Sequence, residues 1–147
     1  MLFDTLNALS DPTRARILAV LHREELAVGE LARAVQLPQS TVSRHLKTLE
    51  AAGWVERRSA GTSSHLRFPD ALSPLERTLW EAIELQARDV PEFREDQLRL
   101  DAVLAARITD SRTYFGRVHA SWDSVRRELF GDSFLLPTLL GLVDSRL

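Results

Sequence analysis

A repeating apolar spacing over residues 38–53 predicts an amphipathic helix. Val42, Leu46 and Leu49 recur at steps of four and three residues, which places them on one buried face. Short hydroxyl and cationic side chains occupy the opposite face, and Gly53 follows as a helix-ending glycine. Such side chains suit contacts with the base edges and phosphates of duplex DNA. An ordinary surface helix explains this stretch equally well, so the neighbouring elements decide between the two.

The residues before this helix predict the supporting part of a helix-turn-helix. Apolar positions in residues 2–9 indicate a short first helix. Asp11-Pro12 predicts the start of a second, with the Asp as N-cap and the Pro in the first turn. A third short helix is expected over residues 30–35, followed by a turn at residues 36–38. A short helix, a turn and a longer helix is the order of a helix-turn-helix.

After Gly53 the apolar period changes from 3.6 residues to two. Residues 54–58 and 65–68 alternate apolar and polar side chains, which predicts two strands joined through the small residues 59–64. A hairpin directly behind a helix-turn-helix is a wing, and its cations and hydroxyls suit phosphate or minor-groove contacts. The sequence therefore predicts a mainly α-helical chain with a small β-hairpin, in which residues 1–70 form a winged helix-turn-helix domain.

Residues 71–147 are predicted to form a helical extension. Ser73-Pro74 begins a helix with a capping box, and Val90-Pro91 ends it. A second helical segment is expected over residues 92–107, and a third is expected to begin at Asp110.

An apolar seam runs from Phe115 to Leu129 at alternating steps of three and four residues. This spacing is typical of a helix that packs on a core of its own subunit or of a partner subunit. A pocket for a flat or aromatic inducer beside Tyr114, His119 and Trp122 is the alternative. The apolar run Leu135–Val143 needs cover from a dimer partner or from a further domain.

Composition narrows the function classes. Residues 1–68 contain nine basic and seven acidic residues, and Lys47, the only lysine of the sequence, is among the basic ones. Residues 69–147 contain ten basic and fourteen acidic residues. The basic excess therefore accompanies the predicted DNA-facing helix. The sequence has no cysteine, which excludes disulfides, thiolate metal sites and cysteine nucleophiles. No catalytic set, signal peptide or membrane-length apolar run is present, so we expect a cytoplasmic binding protein without membrane contact that is not an enzyme.

Three runs of the sequence resemble the ArsR-type winged helix-turn-helix repressors. They are ALSDPTRARILAVL, ELAVGELARAV and PQSTVSRHLKTLEAAGWVERRSAGTSSHLRF, and together they cover most of residues 1–68. The resemblance implies a homodimer that binds double-stranded operator DNA and is released by an inducer. By position it implies DNA contacts at Gln39, Ser40, Thr41, Ser43, Arg44, His45 and Lys47, and in the wing at Arg57, Arg58, Thr62, Ser63 and Ser64. Dimer contacts are expected at Leu2, Phe3, Leu6, Leu75, Leu79, Ile83 and Trp122.

The departures from the family pattern restrict the inducer. Many metal-sensing members carry two cysteines in a box that reads ELAVGEL here, with Ala27 and Gly29 at the thiol positions. Other members bind zinc through histidines and carboxylates on the helix after the wing, and that helix has no histidine here. We therefore expect no metal and no cofactor, and an inducer that is a small molecule not held by thiolates.

Residues 110–143 resemble, more loosely, the connector that joins such domains to S-adenosylmethionine-dependent methyltransferases in fused proteins. The resemblance implies an alternative function, the N-terminal regulatory part of such a fusion, and an S-adenosyl compound as inducer. The glycine-rich loop of that methyltransferase class is absent from the sequence. A third hypothesis is a winged helix that binds proteins and has no role on DNA, although protein-contact helices tend to show aromatic or aliphatic anchors instead of hydroxyls and cations.

Overall fold

The computed structural model describes residues 2–130 of the chain. In chain order its elements are α1 (Leu2–Leu9), α2 (Pro12–Arg23), β1 (Leu26–Ala27), α3 (Val28–Val35), α4 (Gln39–Ala51), β2 (Glu56–Ala60), β3 (Ser63–Arg67), α5 (Pro74–Ala87) and α6 (Pro91–Phe130). The prediction of a mainly helical chain with a small β-hairpin is confirmed. No helix within residues 2–130 is both long and apolar enough to cross a membrane.

The chain divides into two compact units, Met1–Ala105 and Ala106–Leu147. The first contains α1 to α5 and the beginning of α6, and the second is described through the later part of α6. The predicted domain boundary after residue 70 stays a prediction. The apolar run predicted at Leu135–Val143 lies outside the described residues.

The start of α2 is fixed by a cap that the sequence predicted. Asp11 Oδ1 accepts hydrogen bonds from the backbone N–H groups of Thr13 at 2.7 Å and Arg14 at 3.2 Å. Pro12 occupies the first turn, where its missing N–H costs no helical hydrogen bond. The N-cap and the Pro position are therefore both as expected.

Helices α2, α3 and α4 pack around one apolar core. Ile17 and Leu18 of α2, Leu31 of α3 and Leu46 of α4 are fully buried in it. These side chains are the apolar stripes that the helical period predicted, and the core fixes how each helix is rotated about its own axis.

The sheet has three strands, whereas the sequence predicted two. The strand order is β1-β3-β2, and β1 pairs antiparallel to β3 with Leu26 opposite Leu66. A strand of two residues is too short to display an alternating pattern, so sequence reasoning missed it. Both Leu26 and Leu66 are fully buried, which makes the pairing part of the core.

The connection of the wing is shorter than the predicted six residues. Strands β2 and β3 pair as far as Ala60 opposite Ser63, which leaves Gly61 and Thr62 as a two-residue turn. Gly61 has φ of 63°, the positive value that such hairpin turns require at their first central position. The serines that looked turn-forming are therefore strand residues, because cross-strand pairing outweighs their local preference.

Two helix boundaries also differ from the prediction. Helix α3 begins at Val28 instead of residue 30, because Glu30 Oε2 accepts the backbone N–H of Ala27 at 2.9 Å and closes the first turn earlier. The break predicted near Asp110 is absent, and α6 is one helix from Pro91 to Phe130. No Pro or Gly lies between residues 105 and 112, and adding a residue to an existing helix is more favourable than nucleating a new one.

The beginning of α6 is attached to α2 and α3 through a buried carboxylate. Asp96, which is 1% exposed, accepts two hydrogen bonds of 2.7 Å from Arg16 and one of 2.5 Å from Arg99. The two guanidinium groups also donate to the carbonyl oxygens of Val35 at 2.9 Å and Ala34 at 2.8 Å, at the end of α3. The hydrogen bonds to Asp96 raise the pKa of Arg16 above its ordinary value. A single ionic network thus connects α6 to the helix-turn-helix.

Candidate nucleic-acid interface

Helix α4 divides cleanly into an inner and an outer face. Val42, Leu46 and Leu49 are fully buried, so the core sets which side faces outward. Arg44 and Lys47 are exposed on the outer side. Of the other residues predicted to contact DNA on this helix, the exposed ones are Gln39 and Ser40, and the half-buried ones are Thr41, Ser43 and His45. The outer face therefore presents amide, hydroxyl and cationic groups together.

A tight glycine turn ends α4 and directs the chain into the wing. Gly53 has φ of 79°, and its N–H donates to the carbonyl of Glu50 at 3.1 Å. The N–H of Trp54 donates to the carbonyl of Leu49 at 2.9 Å. These two hydrogen bonds form a Schellman motif, which needs a left-handed residue that glycine adopts without strain. The buried Trp54 ring then anchors the chain that leads to β2.

The two wing arginines predicted to contact DNA, Arg57 and Arg58, are engaged by carboxylates. Arg57 Nε donates to Glu50 Oε1 at 2.8 Å, and Arg57 Nη1 donates to the Ser64 hydroxyl at 3.2 Å. Arg58 Nε donates to Glu25 Oε1 at 3.2 Å. These are exposed pairs of the kind that contribute at most about 1 kcal/mol, so a DNA phosphate can replace the carboxylate.

Sequence reasoning missed Glu50 and Glu25 as partners of the wing. Glu50 lies on α4 and reaches the wing only because the turn at Gly53 folds β2 back beside it. Glu25 is 33 residues from Arg58 in the sequence, and no local pattern signals that contact. Of the remaining wing residues predicted to contact DNA, Thr62 and Ser63 are exposed and Ser64 is half-buried.

His45 faces the start of α2 more than it faces solvent. Its Nδ1 lies 3.9 Å from Asp11 Oδ2, and its side chain is 15% exposed. Desolvation acts to raise the pKa of Asp11, but hydrogen bonds from the backbone of Arg14 and Thr13 and the neighbouring charge of His45 outweigh it and hold that pKa below its ordinary value. His45 therefore links α4 to the α2 cap, and its predicted DNA contact stays a prediction.

The residues predicted to form a dimer contact fall into three groups. In α1, Leu2, Phe3 and Leu6 are exposed. In α5, Leu75 is exposed, Leu79 is half-buried, and Ile83 is half-buried against the core of its own subunit. In the second unit, Trp122 is exposed. The exposed leucine and phenylalanine side chains on α1 and α5 leave apolar surface open to solvent, and their predicted dimer contacts stay a prediction.

The structure places a cavity beside two of the three residues predicted to line an inducer pocket in the second unit. It has a volume of about 440 Å³ and lies against Tyr114, Val118 and Trp122, whereas His119 is not among its described lining residues. Within residues 2–130 no group of three or more His, Asp or Glu side chains could hold a metal ion.

Comparison with known proteins gives related sequences for the first half of the chain. The profile of a helix-turn-helix domain family matches residues 9–58. The nodulation protein NolR of Rhizobium meliloti is 44% identical over 68 residues, which cover 46% of this chain and 56% of that protein. The transcriptional repressor SmtB of Mycobacterium tuberculosis H37Rv is 39% identical over 67 residues, which cover 46% of this chain and 50% of that protein. The chain thus spans about half the length of the curated relatives it matches.

A solved structure is similar to this chain in fold as well as in sequence. It is the homodimeric winged helix-turn-helix DNA-binding domain of a possible ArsR-family transcriptional regulator from Mycobacterium bovis. The two are 30% identical with a TM-score of 0.51, and the match covers 60% of this chain and 79% of that one. On the evidence of this match and of the helix-turn-helix profile, the chain belongs to the ArsR family of winged helix-turn-helix regulators.

Proposed function

We propose that this chain is a dimeric, sequence-specific DNA-binding repressor of transcription. The observation that carries the proposal is the division of α4, whose apolar face is fully buried while Arg44 and Lys47 stand exposed on the other. The relative named a transcriptional repressor and the solved structure named a possible transcriptional regulator support the same function. The names of these relatives support a DNA-binding protein and not an enzyme.

In this proposal the two ends of α4 have different tasks. Gln39 and Ser40 lie in the first turn, where residues of a recognition helix reach base edges in the major groove. A glutamine amide can pair with adenine through two hydrogen bonds. Arg44 and Lys47 lie further along the helix and neutralise phosphates. The wing lies beside the C-terminal end of α4, as the Arg57–Glu50 pair requires, and would contact the adjacent backbone.

Dimer formation is proposed through α1 and α5. Their residues Leu2, Phe3 and Leu75 keep large parts of their side chains exposed, at 42%, 81% and 46%. A two-fold dimer would present two copies of α4 to successive major grooves, about 34–36 Å apart. We propose further that a small molecule bound without thiolates releases the DNA, since the sequence has no cysteine.

The experiment is a DNA-binding measurement with matched variants. Duplexes selected from a random pool by the wild-type protein are titrated by fluorescence anisotropy at several salt concentrations. Arg44→Ala and Lys47→Ala should each weaken binding about tenfold and lower the salt slope by about one unit. Arg77→Ala, an exposed arginine on α5, is the control and should change neither. Failure to enrich any duplex, or unchanged affinity in both α4 variants, would refute the proposal.

A second candidate is the regulatory part of a methyltransferase fusion. The observation that favours it is the exposed apolar stripe of the second unit, with Ile108, Phe115 and Trp122, which a further domain could cover. An S-adenosyl compound would then be the inducer. The coding sequence beyond Leu147 tests the fusion, and calorimetry with S-adenosylmethionine and S-adenosylhomocysteine tests the ligand; a stop codon and no heat would reject both.

A further inference from the structure

A groove in the first unit runs between the end of α2, the last turns of α5 and the first turns of α6. We refer to it as the α2–α5–α6 groove. Its volume is about 630 Å³, which lies within the range of about 300–1,000 Å³ that is typical of small-molecule sites. Among the residues that the structure describes, those lining the groove lie between positions 19 and 97.

The floor of this groove is apolar and contains two aromatic rings. It consists of Ala19, Trp80, Ile83, Ala87 and Phe93. Trp80 is buried and belongs to the core, and Ile83 packs against that core, so the floor is held rigid from behind. A flat apolar molecule binds favourably to such a surface, because its apolar surface area is buried against the rings.

The rim of the groove carries an excess of unengaged positive charge. The side chains of Arg88 and Arg94 are exposed and have no hydrogen-bond or ion-pair partner among residues 2–130. Glu84, the carboxylate of the rim, already lies 3.1 Å from His22 Nδ1. Arg23 is held by a carboxylate and an amide of α6. The two free guanidinium groups therefore favour an anion.

The neighbouring cavity has the opposite character. It has a volume of about 510 Å³, and five carboxylates in its lining outnumber the three arginines Arg23, Arg67 and Arg77; the carboxylates are Glu24, Glu25, Asp70, Glu81 and Glu84. Its Arg67 is already paired with Glu56 at 2.6 Å and Asp70 at 2.9 Å. An anionic ligand would meet repulsion there, so the α2–α5–α6 groove is the better site for one.

We propose that the α2–α5–α6 groove binds a small amphipathic anion. Its flat apolar body lies on the floor at Trp80, Ile83 and Phe93, and its carboxylate or equivalent group lies toward Arg88 and Arg94. The effect of this ligand on operator binding rests on the proposed repressor function. The groove joins α2, which supports the helix-turn-helix, to α5, which carries the proposed dimer surface, so a ligand between them changes how the two copies of α4 are spaced.

The test compares three probes that differ in charge and share one ring system. 2-Naphthoate, 2-naphthylmethanol and 2-naphthylmethylammonium are titrated into the full chain by calorimetry, with amide chemical shifts as a second readout. The naphthoate should bind one site and about tenfold more tightly than the ammonium, because only the anion pairs with the guanidinium groups. The shifts should centre on residues of the groove. Equal affinity for the three probes, or no binding of the naphthoate, would overturn the proposal.

Matched variants locate the site. Arg88→Gln and Arg94→Gln should each weaken the naphthoate about fivefold, and Ala87→Trp should abolish binding by filling the groove. Arg112→Gln and Ala102→Trp, at exposed positions of α6 outside the lining, are the controls and should leave affinity unchanged. Circular dichroism and the melting temperature establish that each variant is folded, and full binding by a folded Ala87→Trp would refute the site.

Operator binding separates this inference from the proposed function. Loss of the naphthoate contact with normal DNA binding rejects only the groove ligand. Absence of DNA binding by a protein that still binds the naphthoate rejects the repressor and leaves the groove. If both hold, the naphthoate should weaken operator affinity in the wild type and leave Ala87→Trp unaffected.

Discussion

Replacing Asp96 by alanine should remove the ionic network that attaches α6 to the helix-turn-helix. Asp96 is 1% exposed and receives three charge-assisted hydrogen bonds, two from Arg16 and one from Arg99. The two arginines would then lose their common counter-ion while still donating to the carbonyls of Val35 and Ala34. The beginning of α6 would be held mainly by Leu100 and its apolar neighbours.

The expected magnitude follows from these contacts. A hydrogen bond to a charged group contributes about 1.5–3 kcal/mol, so three would exceed about 4 kcal/mol if each were lost in full. They are not, because the side chains of Arg16 and Arg99 are 18% and 25% exposed and water replaces part of the interaction. We expect the free energy of unfolding to fall by about 3 kcal/mol. For a unit of this size the melting temperature should fall by roughly 12–15 °C.

Urea and thermal unfolding followed by circular dichroism measure this change. Glu95→Ala is the matched control, since Glu95 is adjacent, exposed, and 3.7 Å from Arg99 Nη1. An exposed pair contributes at most about 1 kcal/mol, so the control should stay close to the wild type. A loss below about 1 kcal/mol in Asp96→Ala, or equal losses in the two variants, would show that the network does not stabilise the fold.

Three further outcomes follow from the contacts of α4, its cap and its neighbours. Glu50→Gln should strengthen operator binding several-fold by freeing Arg57, and the gain should vanish in an Arg57→Gln background; a gain of equal size there would reject the pairing as its cause. Gly53→Ala should lower the free energy of unfolding by about 1 kcal/mol because φ is 79°, whereas Gly116→Ala, inside α6 with open space around it, should raise it by up to about 1 kcal/mol. Two losses of equal size in urea unfolding would contradict this. The lowered pKa of Asp11 means that its carboxylate stabilises the fold above its ordinary pKa of 3.8 and that this contribution is lost as the pH falls through the lowered value. The stability difference between the wild type and Asp11→Ser should therefore shrink on acidification, and a difference independent of pH would refute the assignment.

Much of the fold and of the candidate interface could be predicted because the relevant signals are local. The side chains of Asp11 and Ser73 accept hydrogen bonds from backbone groups two or three residues away. The local sequence alone therefore predicts where α2 and α5 begin. The same holds for the division of α4, since its apolar residues recur at helical spacing. The prediction of a helix break near Asp110 was wrong, because a weak local cap does not interrupt a helix that is already propagating.

The sequence by itself determined that the chain is mainly helical, where α2 and α5 begin, which face of α4 is apolar, and that thiolates take no part in any site. Only the tertiary structure decided the third strand, the capture of Arg57 and Arg58 by carboxylates, and the groove with its two free arginines. The physical reason is distance along the chain. Asp96 and Arg16 are 80 residues apart, and Arg58 and Glu25 are 33 apart. Such contacts form only after the core has fixed the rotation of each helix, and no periodic pattern encodes them.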